Sequence, residues 1–162
     1  MRILLQRVTR ASVTVVEKGA GEIGEPSNET AREVGRIGPG AVALAGFAPG
    51  DAAEAIEWMA AKIANLRIFP GAEGGSPFDV SLRETGGELL VVSQFTLYGD
   101  TRQGRRPDFG EAAPYGEAKA LYEEFVEQCE VELPGKVVEG EFGAVMRVSL
   151  VNDGPVTLWL ER

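Results

Sequence analysis

Near the C-terminus the chain reads Val-Asn-Asp-Gly-Pro-Val-Thr-Leu-Trp-Leu from Val151 to Leu160, an apolar stretch interrupted by Gly154-Pro155. Proline cannot donate to a sheet ladder, so this pair either makes an ordinary trans turn, the commoner state, or takes the cis isomer. Either way its carbonyls point where those of a regular strand cannot. A second segment, Ser93-Gln94-Phe95-Thr96-Leu97-Tyr98, sets small polar groups among large apolar ones. Read as the end of a strand from Glu88 to Tyr98, it points Gln94, Thr96 and Tyr98 one way and Ser93, Phe95 and Leu97 the other. Where that strand ends or bulges, near Gly99, backbone N–H groups could turn inward and serve as an oxyanion hole. Taken alone, a half-buried strand decorated with Thr and Gln is the commoner reading. Thr96 is the obvious nucleophile, yet a hydroxyl needs a base, and the chain has no histidine to supply one. Arg102, Arg105 and Arg106 form one dense basic loop, for which a phosphate contact and simple solvation are equally supported.

Composition narrows the chemistry further. The absence of histidine removes the commonest general base, the usual catalytic triads and most zinc-site designs together. A formal net charge of −9 argues against wrapping a long nucleic acid, although a short contact to one nucleic-acid end remains open. With 162 residues, 44% hydrophobic and 25% charged, the sequence predicts one domain over residues 1–162 that buries roughly 70% of its unfolded surface. No apolar run approaches the length of a membrane span, and the N-terminal apolar patch is too short for a signal, so a cytoplasmic location is expected. The single cysteine, Cys129, cannot form an internal disulfide and falls on the apolar stripe of a helix.

The elements that must position these residues are partly legible. Residues 2–16 read as one or two β-strands, followed by a Gly-, Pro-, Asn- and Glu-rich hairpin insert from 17 to 33. Within it Gly19, Gly21 and Gly24 match a dinucleotide fingerprint letter for letter, but no apolar helical stripe follows, so a glycine-rich turn is the better reading. Strands resume near Val34 and from Ala41 to Phe47. Asp51 and Glu54 form a capping-box pattern ahead of Ile56, Met59, Ala60, Ile63 and Leu66, which recur at helical spacing. A second helix carries Ala118, Leu121, Tyr122, Phe125 and Cys129 on one face and mostly glutamates on the other. From Val137 to Leu160 strand returns, with Val145, Arg147, Ser149 and Val151 on one side and Met146, Val148, Leu150 and Asn152 on the other. The class is α/β: a sheet with two main helices against it.

Ser93 to Tyr98 and Asn152-Asp153-Gly154-Pro155-Val156-Thr157, together in a chain of this length, closely resemble the D-aminoacyl-tRNA deacylase family. Gln6 to Val13, Leu66 to Phe69, Gly104 to Phe109 and Phe142 to Met146 extend the resemblance end to end, while the 17–33 insert is longer than usual and 74–81 departs from the family pattern. The resemblance implies a mixed, largely antiparallel sheet or open barrel, and a homodimer that hydrolyses the ester joining a D-amino acid or glycine to the 3′-terminal adenosine of tRNA, without metal or cofactor. It implies a cis Gly154-Pro155 that enters the other subunit's active site, where its carbonyls hold the α-amino group and exclude an L side chain. It assigns Arg7 to bracing that turn, Phe142, Ala144 and Met146 to the adenosine pocket, and backbone N–H groups around Phe95 and Thr96 to the oxyanion. Catalysis is then expected to use the vicinal 2′-hydroxyl of the ribose rather than direct attack by Thr96. Two alternatives stand beside it: a nucleic-acid-associated binding module of the same fold, and a deacylase of relaxed chirality with a trans Gly-Pro bond.

Overall fold

The computed structural model describes residues 1–16, 31–71 and 75–162. The dinucleotide-like glycines and most of the 17–33 insert lie outside the described residues. The chain begins with one unbroken 15-residue strand, β1 (Arg2–Val16), then β2 (Ala31–Ile37) and β3 (Gly40–Gly46). Strand therefore resumes at Ala31, three residues before the expected position. Helix α1 (Ala53–Asn65) leads through β4 (Arg67–Phe69), β5 (Val80–Ser81) and the single turn α2 (Leu82–Thr85) to β6 (Glu88–Ser93). After a 3-10 turn at Phe95–Tyr98 come α3 (Tyr115–Glu132), β7 (Val137–Glu139) and β8 (Val145–Glu161).

β1 organises the sheet. One edge pairs antiparallel with β8 along nearly its whole length, and the other pairs with β3 over Arg2–Val8 and with β2 over Ala11–Val16. β3 then pairs parallel with β6, and β6 parallel with β7, so the sheet is mixed. It nearly closes on itself where β2 meets β7: a Cβ added to Gly35 would sit 2.6 Å from Val138 Cγ1, so only glycine permits that approach. The expected mixed, largely antiparallel open barrel with two main helices is thus the observed architecture.

Alternation along β3 and β6 divides the interior in two. Ala41, Ala43, Ala45, Leu89 and Val91 face the helices, where Ile56, Met59 and Ile63 of α1 and Tyr122, Phe125 and Cys129 of α3 complete one core. The small alanines leave room for those larger helix side chains. Val42, Leu90 and Val92 face the barrel lumen and join Val8, Val13 and Ile37 in a second core. Burial on both faces is why Leu89 to Val92 reads as a continuous apolar run. Cys129 is buried here, as expected, and desolvation pushes its thiol far above the ordinary range.

Two local expectations fail. Asp51 does not cap α1: the N-cap is Ala52, and Asp51 instead accepts from the N-terminal ammonium at 2.7 Å and from the Ala48 N–H at 2.8 Å. A reciprocal capping box does exist, at Ser81 and Glu84, where it starts the one-turn α2. Nor does the strand reach Tyr98. The β3–β6 ladder ends at Ala45 and Ser93, the Gln94 N–H makes a last bond to the Ala45 carbonyl, and the chain then turns. No helix among the described residues is long and apolar enough to cross a membrane.

Candidate functional site

A cavity of about 600 Å³ opens at the point where β6 gives way to its 3-10 turn. Ser93, Gln94 and Phe95 line it, as do Phe142, Gly143, Ala144 and Met146 around the start of β8. Phe109 and Tyr115, which the sequence alone does not single out, also line it. Phe95 and Phe109 meet edge to face at 5.1 Å, and Phe142 is flanked by Tyr115 at 5.3 Å and Tyr122 at 5.4 Å. Phe95 and Tyr115 nonetheless stay 56% and 66% exposed, leaving aromatic surface available to a planar ligand. Gly143 is required by its neighbours: its φ is +76°, and a Cβ would lie 2.6 Å from the Tyr115 hydroxyl.

Among the described residues the wall carries no Asp, Glu, Lys, Arg, His or Cys. It therefore offers neither a metal-ligand set nor an ordinary general base. What it does offer is backbone. In the 3-10 turn the Leu97 N–H bonds the Gln94 carbonyl and the Gly99 N–H bonds the Thr96 carbonyl, while the N–H groups of Phe95 and Thr96 open the turn without an acceptor among the described residues. Among the described residues, donors without an acceptor thus lie at Phe95 and Thr96, the positions the family resemblance implies, whereas the Gly99 N–H of the strand reading is spent on the Thr96 carbonyl.

The expected grouping of Gln94, Thr96 and Tyr98 on one strand face does not occur. Gln94 Nε2 donates to Thr96 Oγ1 at 2.5 Å, but Thr96 does not line the cavity. Tyr98 turns inward and is buried, its phenol pushed up to about 12 by desolvation, with the Arg2 guanidinium 4.2 Å from its ring centroid.

Gly154 and Pro155 lie elsewhere. Between its pairings of Asn152 with Val8 and Thr157 with Gln6, β8 inserts four residues opposite the single Arg7 of β1, and the Gly154-Pro155 bond within that bulge is cis. Both residues are exposed, and neither lines the cavity of its own chain. Arg7, buried beneath the bulge, pairs through Nε with Asp153 at 2.9 Å and donates through Nη1 to the Ile68 carbonyl at 2.6 Å and the Pro77 carbonyl at 3.3 Å. Its Nη2 lies 3.0 Å from where a Gly154 Cβ would fall, so the guanidinium sits directly under the turn. Asn152 clasps the bulge from within: Oδ1 accepts from the Val156 N–H at 3.1 Å and Nδ2 donates to Thr157 Oγ1 at 2.8 Å. That clasp explains the spacing of asparagine, Gly-Pro and threonine.

Six of the nine cavity and turn residues anticipated from sequence, Ser93, Gln94, Phe95, Phe142, Ala144 and Met146, therefore line one space. Thr96 follows the lining Phe95 in the chain without lining the space itself, and Gly154-Pro155 projects from a separate braced turn.

Comparison with known proteins places the whole chain. A D-aminoacyl-tRNA deacylase of Dehalococcoides mccartyi is 49% identical over 161 residues, covering 99% of this chain and 94% of the relative. One of Rippkaea orientalis is 46% identical over 162 residues, covering both chains completely. Among solved structures, a c-Myc DNA unwinding element binding protein superposes with a TM-score of 0.84 at 39% identity, covering 100% of this chain and 99% of the other. With the D-Tyr-tRNA(Tyr) deacylase profile matched across residues 4–161, the chain belongs to that family.

Proposed function

We propose that this protein hydrolyses the ester bond of D-aminoacyl-tRNA, releasing the free D-amino acid and tRNA. The observation that carries the chemistry is the cavity wall of aromatic rings and small residues, with no ionisable acid or base apart from a tyrosine, at whose edge the Phe95 and Thr96 N–H groups have no acceptor among the described residues. Such a wall suits a substrate that brings its own reactive group. The terminal adenosine stacks in the aromatic part, beside Phe142 and Met146. The ester carbonyl oxygen faces the N–H groups of Phe95 and Thr96, which stabilise the negative charge developing on it. The ribose 2′-hydroxyl, adjacent to the ester, positions or activates the attacking water, so holding the ribose is the larger part of catalysis. Ser93 and Gln94 orient the substrate. An aminoacyl ester is already activated, so modest assistance suffices.

Handedness requires a second element. Gly154 and Pro155 are exposed on a rigidly braced turn that lies outside the cavity of their own chain. In our reading the protein is a homodimer, and each subunit's turn enters the other's cavity. There the turn's carbonyls accept from the substrate α-ammonium, and an L side chain keeping that contact is driven into the wall. Glycyl-tRNA, lacking a side chain, passes the same filter. The reaction is a proofreading step in translation, placed in the cytoplasm.

Release of D- and L-tyrosine from the same tRNA tests this directly. D-tyrosine release should exceed L-tyrosine release by orders of magnitude, and equal rates would end the chiral reading. A second reading, a nucleic-acid binding module, is favoured only by the likeness to the DNA unwinding element binding protein. Retarded migration of DNA without any deacylation would select it.

A further inference from the structure

The dense basic loop of this acidic chain, around Arg102, Arg105 and Arg106, leads directly into Phe109, a residue that lines the cavity. Asp100 and Asp108 close the loop as a hairpin, each N–H bonding the other's carbonyl at 2.7 and 2.9 Å. Arg102 is committed within it: Nε and Nη2 both donate to the Asp100 carboxylate, at 2.9 and 2.7 Å. Arg105 and Arg106, at the tip, are exposed and pair with no acidic side chain among the described residues. Phe109, which follows the closing Asp108, lines the cavity and packs on Phe95. Arg106 is thus three residues from the wall, no more than about 10 Å of chain.

Two uncommitted guanidinium groups beside a ligand cavity are unusual in a protein of formal net charge −9. Its overall field repels a polyanion, but at physiological salt that repulsion is screened beyond about 8 Å, so a local cationic tip decides whether a phosphate is held. Arginine suits the task through its bidentate fork and weak hydration. Building on the proposed function, we infer that Arg105 and Arg106 grip the phosphates of the single-stranded nucleotides just 5′ of the terminal adenosine. The loop then measures tRNA, as distinct from a free aminoacyl nucleoside, while the cavity reads the ester.

The test compares wild type with Arg105→Gln/Arg106→Gln on D-tyrosyl-tRNA and on 3′-O-(D-tyrosyl)adenosine, which has no phosphate, at 50 and 200 mM salt. The loss in kcat/KM should be confined to the phosphate-bearing substrate. Two contacts to single-stranded phosphates contribute about 1.4 to the slope of log K against log salt, so the gap between the proteins should narrow about 7-fold over this fourfold change. Equal kcat/KM and equal slopes on tRNA, or an equal loss on both substrates, would overturn the inference. Should wild type hydrolyse neither ester, the proposed function fails. The salt-dependent binding of uncharged tRNA by the two proteins then still decides the loop, and identical affinities would refute it.

Discussion

Replacing Arg7 by methionine tests how the Gly154-Pro155 turn is held. The substitution keeps a long side chain beneath the bulge while deleting the guanidinium that reaches Asp153, Ile68 and Pro77. The three partners do not suffer equally. Asp153 has 43% of its side chain exposed and regains water, so the ion pair itself contributes little, within about 1 kcal/mol. The Ile68 carbonyl is bonded at 2.6 Å in a buried position, and losing a charged donor there costs about 1–3 kcal/mol. Together these come to about 3 kcal/mol, and at this chain length each kcal/mol lowers Tm by about 2–4 °C. Arg7→Met should therefore melt about 6–12 °C below wild type, whereas Asp153→Asn, which leaves the carbonyl contacts intact, should fall by only a few degrees. Thermal unfolding followed by circular dichroism reads both, and D-tyrosine release at a temperature where both variants are folded reads the turn. If Asp153→Asn proves as costly as Arg7→Met, or if Arg7→Met melts within about 2 °C of wild type, the brace does not work through the buried carbonyls.

Gly143→Ala should cost about 1–2 kcal/mol for its positive φ and force Tyr115 away from Phe142. A non-hydrolysable 3′-aminoacyl-adenosine analogue should then bind about tenfold more weakly by calorimetry, and an unchanged Kd would remove Tyr115 from the adenosine site. Thr96→Ala deletes one hydrogen bond with Gln94 at the cavity's edge and should lower kcat by no more than about tenfold. Abolished turnover with intact binding, together with a trapped acyl-enzyme in wild type, would make Thr96 the nucleophile. Hydrogen bonds from Arg102 hold the Asp100 carboxyl down at about 2, below its ordinary 3.8. A depressed folded value means this clamp contributes fully above about pH 4 and is lost as pH falls toward 2. Carboxyl carbon NMR should show that titration, and Arg102→Ala should return it toward 3.8; no movement on substitution would refute the clamp.

The sequence was most readable where one physical signal acted alone. Ile56, Met59, Ala60 and Ile63 on α1, and Tyr122, Phe125 and Cys129 on α3, face the core as their spacing requires. The alternation from Val145 to Asn152 was equally clear. Ser93 to Tyr98 misled because its polar and apolar residues alternate as in a strand, whereas continuation depends on a partner, and β3 runs out opposite Ser93. Asp51 misled because its carboxylate has two equally local uses, and the N-terminal ammonium and Ala48 N–H won over the helix end. The capping box at Ser81 and Glu84 escapes a sequence reading because a one-turn helix has no periodicity to announce it. Phe109 and Tyr115 reach the cavity only through tertiary packing, which no local pattern encodes.

The cavity and the Gly154-Pro155 turn, the two surfaces of the proposed function, hang from one strand. Met146 and Val148 of β8 border the cavity, and eight residues beyond Met146 the same strand carries Gly154. Its alternate residues face opposite ways, so losing a single residue between them would rotate one surface to the wrong side while the other stayed in register. On the proposed function, nucleoside binding and enantiomer discrimination would share one ruler: β8 could exchange side chains far more freely than it could change length.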